Sequence, residues 1–232
     1  MQSTTEITNH FGPLLANLAL DLGAIMLQVQ QPFTWASGYR MPIYNDNRRL
    51  LASPKARALI CDAFVAMLES LQFEADNIAG TATAGIPHAT TLADRLAKPL
   101  SYVRSSGKDH GLGHQIEGLG QSGSYEGAKV LLIEDLISTG GSSIKAVEAI
   151  VKAGGVCPYT LAIFTYGFDA AAKAFEALDP GCTFYTILDY DVMVRSALKK
   201  GYVNEQEAGY LSQWREDPFA WGGKHGFPVV EK

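Results

Sequence analysis

The 232-residue sequence predicts an α/β fold, with a central, mainly parallel sheet flanked by helices. Three observations carry that expectation. From about residue 76, short strand-like runs alternate with helical segments at the spacing of strand–helix–strand units. The run Val130, Leu131, Leu132, Ile133 is apolar at every position rather than at alternate ones, as in a strand covered on both faces. That run ends in two adjacent acids, Glu134 and Asp135. Small and hydroxylic residues follow them, Ser138, Thr139, Gly140, Gly141, Ser142 and Ser143, so the strand feeds a turn at a helix start.

Taken in order, Leu14, Leu15, Leu18, Leu22, Ile25, Met26 and Val29 recur at helical spacing, which predicts a helix over 12–30. After Pro32, FTWASGYRMPIYNDNRRL is rich in aromatic and turn residues and reads as two brief strands. Ser53 followed by Pro54 starts a helix carried on by Ala58, Leu59, Phe64, Val65 and Leu68. NIAGTATAGI is a strand and glycine turn, HATTLADRLA a helix, LSYVR and KVLLIEDL strands. SSIKAVEAIVKAGG is a helix stopped by its glycines and VCPYTLAIFTY a strand. A helix over 168–178 precedes the strand TFYTIL, residues 190–216 read as helical, and DPFAWGGKHGFP closes irregularly. The glycine-rich segment 105–127 lacks apolar periodicity, and a loop this long is either functional or disordered.

Composition narrows the function classes. A hydrophobic share of 47% with 19% charged residues is that of an ordinary soluble globular chain. A formal charge of −5 gives no basic field for nucleic acid or an anionic membrane, so any anion site has to be local. Cys61, Cys157 and Cys182 lack zinc-site spacing and suit a reducing cytosol as small hydrophobes. With no basic start, no signal-like apolar run and no spanning segment, the expected location is cytoplasmic.

The chemistry concentrates at 134–143. An acid pair at the carboxyl end of a parallel strand stands where open α/β sheets bind ligands. The N–H groups of the turn and the helix dipole favour a phosphate, with hydroxyl donors available from Ser138, Thr139, Ser142 and Ser143. Two carboxylates beside a phosphate make electrostatic sense only if they face something else, such as sugar hydroxyls or a divalent cation. The plain alternative is a strand end followed by a helix cap. The stretch is not a Walker A loop, because the Gly-Lys-Ser/Thr is missing.

VLLIEDLISTGGS resembles the phosphoribosyl-pyrophosphate signature of the type I phosphoribosyltransferases. FTWASGYRMPIYNDNRRL, AGTATAGIPHA and YVRSSGKDHGLGHQIEG each resemble segments of the orotate phosphoribosyltransferases, and the likeness runs from about residue 12 to 215. It implies the type I phosphoribosyltransferase fold, one domain over 1–232. The small hood would come mainly from 1–52, the core from about 74–190 and a helical tail from 190–232. It implies transfer of a phosphoribosyl group to orotate in pyrimidine synthesis, releasing pyrophosphate. Mg²⁺ would be held mainly by substrate oxygens rather than by protein ligands. Glu134 and Asp135 would take the ribose hydroxyls, the backbone of Ser138, Thr139, Gly140, Gly141 and Ser142 would cradle the 5-phosphate, and Leu136 and Ile137 complete the residues expected to bind phosphoribosyl pyrophosphate. Arg104, Lys108 and His110 would serve the pyrophosphate. The resemblance also implies a homodimer in which the 105–127 loop is shared between subunits. A disordered surface loop with scattered charge is the plainer reading of the same residues.

Departures from the pattern are specific. Ala36, Ala84 and Ser105 stand where many orotate phosphoribosyltransferases have lysine, so phosphate contacts there are not carried over; Arg40 or Arg48 is a candidate to compensate. Some members place an orotate-binding arginine after the strand that here ends at Tyr166, and this chain has none there. Ser138 and Arg48 are the candidate orotate ligands. Gly118 to Gly123 matches GxGxxG without a preceding strand, and His110 with His114 lies in a loop, so neither is taken as a site. A purine phosphoribosyltransferase and a non-catalytic sensor of phosphoribosyl pyrophosphate are the rival readings. The acidic balance and the cationic loop argue against the sensor.

Overall fold

The computed structural model describes residues 2–105 and 115–230. Helix α1 (Thr4–Asp21) opens with a capping box: the Ser3 hydroxyl accepts from the Glu6 N–H at 3.3 Å, and the Glu6 carboxylate accepts from the Ser3 N–H at 2.6 Å. The helix therefore starts well before residue 12 and ends before Ile25. Ile25–Leu27 form a strand, β1, where the spacing predicts a continued helix. Pairing wins over period there: β1 lies antiparallel to β4 (Ile43–Asn45), with Met26 opposite Tyr44. Between them, β2 (Phe33–Thr34) and β3 (Arg40–Met41) form a second antiparallel pair, so the aromatic segment gives three short strands rather than two. A 3₁₀ turn over Asn47–Ala52 leads to α2 (Pro54–Ser70), whose Ser53 cap accepts from the Ala56 N–H at 3.2 Å.

The alternating part follows: β5 (Asn77–Thr81), α3 (Ile86–Leu96), β6 (Leu100–Val103), β7 (Ile116–Glu117), β8 (Lys129–Ile137), α4 (Gly141–Lys152), β9 (Val156–Thr165), α5 (Asp169–Glu176) and β10 (Thr183–Asp189). The sheet order is β10-β9-β8-β5-β6-β7. Every neighbouring pair is parallel except β7, which runs antiparallel to β6. Part of the segment expected to be irregular is thus ordered onto the sheet: Val103 faces Ile116, and the Arg104 N–H donates to the Gln115 carbonyl at 2.9 Å.

β8 explains its own composition. Leu131 and Ile133 belong to the core that α1, α2 and α3 share on one side of the sheet, while Val130 and Leu132 belong to the core that α4 and α5 share on the other. All four are fully buried, as the uninterrupted apolar run requires. The tail forms α6 (Tyr190–Lys200), α7 (Glu205–Glu216) and α8 (Pro218–Lys224). The last is a helix where the sequence reads as irregular. Pro218 occupies its first turn, where proline's fixed φ is already helical, and Trp221 is buried beneath it. Among the described residues, no helix is long and apolar enough to cross a membrane.

Candidate active site

The carboxyl ends of β5 and β8 lie side by side, and the turns that leave them form the floor of a cleft of about 570 Å³. The first turn, Ala82–Gly85, is pressed against β8. A Cβ on Gly85 would stand 2.5 Å from the Ile133 carbonyl oxygen and 2.8 Å from the Thr81 nitrogen, so only glycine fits. The second turn runs from Ser138 to Ser142 into α4. Gly140 adopts φ +86° there, and the first amides of the helix have no partner within it.

The two acids differ sharply. Glu134 is buried and accepts from the Thr81 hydroxyl at 2.6 Å, the Asp135 N–H at 2.9 Å and the Ser143 hydroxyl at 3.3 Å. Burial, and then the adjacent Asp135 charge, push its carboxyl up to about 8; the Thr81 bond opposes them. Asp135 is only half-buried and lines the cleft, while its backbone carbonyl accepts from the Asn47 side chain at 2.7 Å. That bond ties the N-terminal segment to the acid strand. Asn45 supports it by donating to Asn47 at 3.1 Å.

The cleft gathers most of the residues singled out by sequence. Glu134, Asp135, Leu136, Ser138 and Ser142 line it together with Arg48 and Arg104. Arg48 is largely exposed and pairs with Asp46 at 2.6 Å, which holds the Asp46 carboxyl below the usual range. Arg104 is half-buried, with Glu117 at 3.4 Å. Ala84 and Ser105 also line the cleft, so two of the three positions lacking lysine are wall positions, while Ala36 is not. Ile137 is fully buried and offers a phosphate only its backbone. Thr139 opens instead on a neighbouring cavity of about 540 Å³ beside Phe168 and Arg215, while Gly140 is buried and Gly141 is exposed. Ser143, expected as a phosphate donor, is buried with its hydroxyl on Glu134, which removes it from that role. Tyr166 is buried among aromatic rings, including Trp214 at 5.3 Å. Lys108 and His110 lie outside the described residues.

Sequence reasoning missed Lys145, Asn47 and Thr81. Lys145 is exposed and lines the cleft. Its signal was available, since it stands three residues after Ser142 and therefore on the same face of α4. Asn47 and Thr81 act across 88 and 53 residues of sequence separation, which no local pattern reports. Among the described residues, no group of three or more His, Cys, Asp or Glu is gathered as a metal cage.

Residues 46–174 match the family model of the phosphoribosyl transferase domain. The chain is 47% identical over 208 residues to an orotate phosphoribosyltransferase of Bacillus caldolyticus, covering 90% of this chain and 98% of that one. It is 45% identical to the Listeria innocua orotate phosphoribosyltransferase, again over 208 residues, with 90% and 97% covered. Among solved structures, the orotate phosphoribosyltransferase of Aeropyrum pernix matches with a TM-score of 0.67 at 27% identity, over 82% of this chain and 99% of that one.

Proposed function

The chain belongs to the phosphoribosyltransferase family and is an orotate phosphoribosyltransferase, and from that premise we propose how its residues divide the work. The observation that carries the proposal is one cleft lined by a half-buried acid at a parallel strand end, an open helix-start turn and Arg104. Asp135 takes ribose hydroxyls, and Glu134 holds Thr81 and Ser143 beneath it while completing the sugar contact. The backbone of 136–142 and the Ser138 and Ser142 hydroxyls hold the 5-phosphate at the α4 start. Arg104, Lys108 and His110 receive the departing pyrophosphate, and Lys145 adds a cation from α4 that partly offsets the alanines and serine at 36, 84 and 105. Ser138 and Arg48 face orotate.

In the reaction, the bond from the anomeric carbon to the pyrophosphate oxygen breaks and its electron pair leaves with pyrophosphate. The orotate ring nitrogen bonds to the same carbon. Orotate arrives as an anion, so the protein's contribution is positioning and stabilisation of the leaving charge rather than base catalysis. A Mg²⁺ ion brought in with the donor would supply further charge neutralisation, and Asp135, the acid open to the cleft, would be the residue nearest to hold it. The part of the 105–127 segment that carries Lys108 and His110 serves the leaving group in a partner subunit's site, which makes the working unit a homodimer of one-domain chains. Each chain has a hood built mainly from its first 52 residues. The location that suits this chemistry is the cytoplasm.

Calorimetric titration with phosphoribosyl pyrophosphate tests the site. Wild type binds, and Asp135→Asn weakens binding about tenfold or more, as expected for a charge-assisted contact. Equal affinities for the two would remove Asp135 from the sugar.

A further inference from the structure

We propose that residues 217–230 are a strap that fixes the hood wall of the cleft and thereby sets its affinity for orotate; the inference rests on the reading above. The segment lies outside the 46–174 match, and none of its residues lines the cleft. It nevertheless clamps the β2–β3 hairpin along its length. Helix α8 lies so close on β3 that a Cβ on Gly222 would stand 3.0 Å from the Arg40 carbonyl oxygen and 2.7 Å from that of Phe227. The Phe227 N–H donates to the Gly222 carbonyl at 2.7 Å, and the Arg40 guanidinium sits 5.8 Å over the Phe227 ring. Phe219 meets Tyr39 edge-on at 5.1 Å. The Val230 N–H then donates to the Gly38 carbonyl at 2.9 Å, and a Cβ on Gly38 would collide with the Val230 carbonyl oxygen.

From the hairpin the path to the cleft is short. Pro42 alone separates β3 from β4, and the Trp35 indole N–H donates to the Ile43 carbonyl at 3.0 Å. β4 ends at Asn45, and Asn45, Asp46 and Arg48 line the cleft, with Asn47 bonded to the Asp135 carbonyl. The 82–85 turn, the acids and the α4 start provide for the phosphoribosyl donor. The nucleobase must then meet the remaining wall, which the strap holds. Residues 217–230 are therefore positioning residues chiefly for the acceptor, since the path meets the donor side only at the Asp135 backbone carbonyl and not at its carboxylate.

The test uses Gly222→Ala, which inserts a methyl between strap and β3, and Val230→Pro, which removes the N–H donated to Gly38. Both are made in the full chain and assayed for kcat, for KM of each substrate and for thermal unfolding. The expected result is a rise in orotate KM of roughly fivefold, the equivalent of one hydrogen bond, with the phosphoribosyl-pyrophosphate KM unchanged. Unchanged KM values for both substrates would overturn the proposal. So would equal rises in both KM values with a lowered unfolding temperature, since the strap would then be a general stabiliser. A wild-type chain that ignores orotate would instead overturn the functional reading on which the strap's role depends.

Discussion

Glu134→Gln removes a carboxyl that burial keeps protonated to unusually high pH, and the consequence for stability can be worked out with its sign. The group titrates at 4.5 as an ordinary side chain and is pushed up to about 8 in the fold. The folded chain thus binds this proton more tightly than the unfolded chain. The associated stability is fully present below pH 4.5 and is lost as pH rises through 8. At about 1.4 kcal/mol for each pH unit between the two values, the ceiling is about 5 kcal/mol. Glutamine is isosteric and uncharged, so its carbonyl oxygen can still accept from Thr81 and Asp135 while the pH-dependent contribution vanishes. Urea unfolding followed by circular dichroism between pH 5 and 9 measures the difference. Wild type should lose stability more steeply than the variant, the gap growing by a few kcal/mol toward pH 9. Parallel curves would refute the argument that a buried, charge-crowded carboxyl sits beneath the cleft.

Other predictions follow from single residues. Lys145→Ala should raise KM for phosphoribosyl pyrophosphate about tenfold and leave thermal unfolding unchanged, because the side chain is exposed on the cleft wall. Gly85→Ala should cost about 1–3 kcal/mol in denaturant unfolding and weaken donor binding, since the new methyl displaces the 82–85 turn from the Ile133 carbonyl. His88 is buried, and desolvation, with the Arg57 charge adding to it, pushes its pKa down to about 4. Its contribution is therefore present above pH 6.5 and lost as pH falls toward 4, and wild type should lose thermal stability over that range faster than His88→Gln. Mixing impaired Lys108→Ala with impaired Asp135→Asn should raise activity above that of either variant alone, because a hybrid dimer holds one intact site; no gain after subunit exchange would argue against the shared loop.

The sheet was legible because its strands carry their environment in their composition: Val130 to Ile133 can be apolar throughout only if both faces are covered. The acid pair and the glycine turn into α4 were legible because strand end, turn and helix start are contiguous. What escaped was set by distant partners. Ile25 and Met26 have helical spacing with Leu22, yet they pair with Asn45 and Tyr44 of β4, and nothing local announces partners that far along the chain. The seven-residue α8 owes its place to packing of Trp221 and Gly222 on the hairpin, since a helix so short has little stability alone. At the site, sequence assigned both Glu134 and Asp135 to the ribose, with Asp135 the one expected to influence metal placement. Only the fold separates a carboxyl buried among three donors from one open to the cleft. Ser143 looked like its neighbour Ser142, but the helical turn points the two in different directions.

The most direct measurement is the fall in orotate absorbance with phosphoribosyl pyrophosphate and Mg²⁺, the product identified by mass. Adenine, hypoxanthine, xanthine and uracil serve as competitors. Conversion of orotate to orotidine 5′-monophosphate, dependent on every component and unmatched by the other bases, is the expected result. Turnover of another base in preference to orotate, or none with any base, would contradict the account.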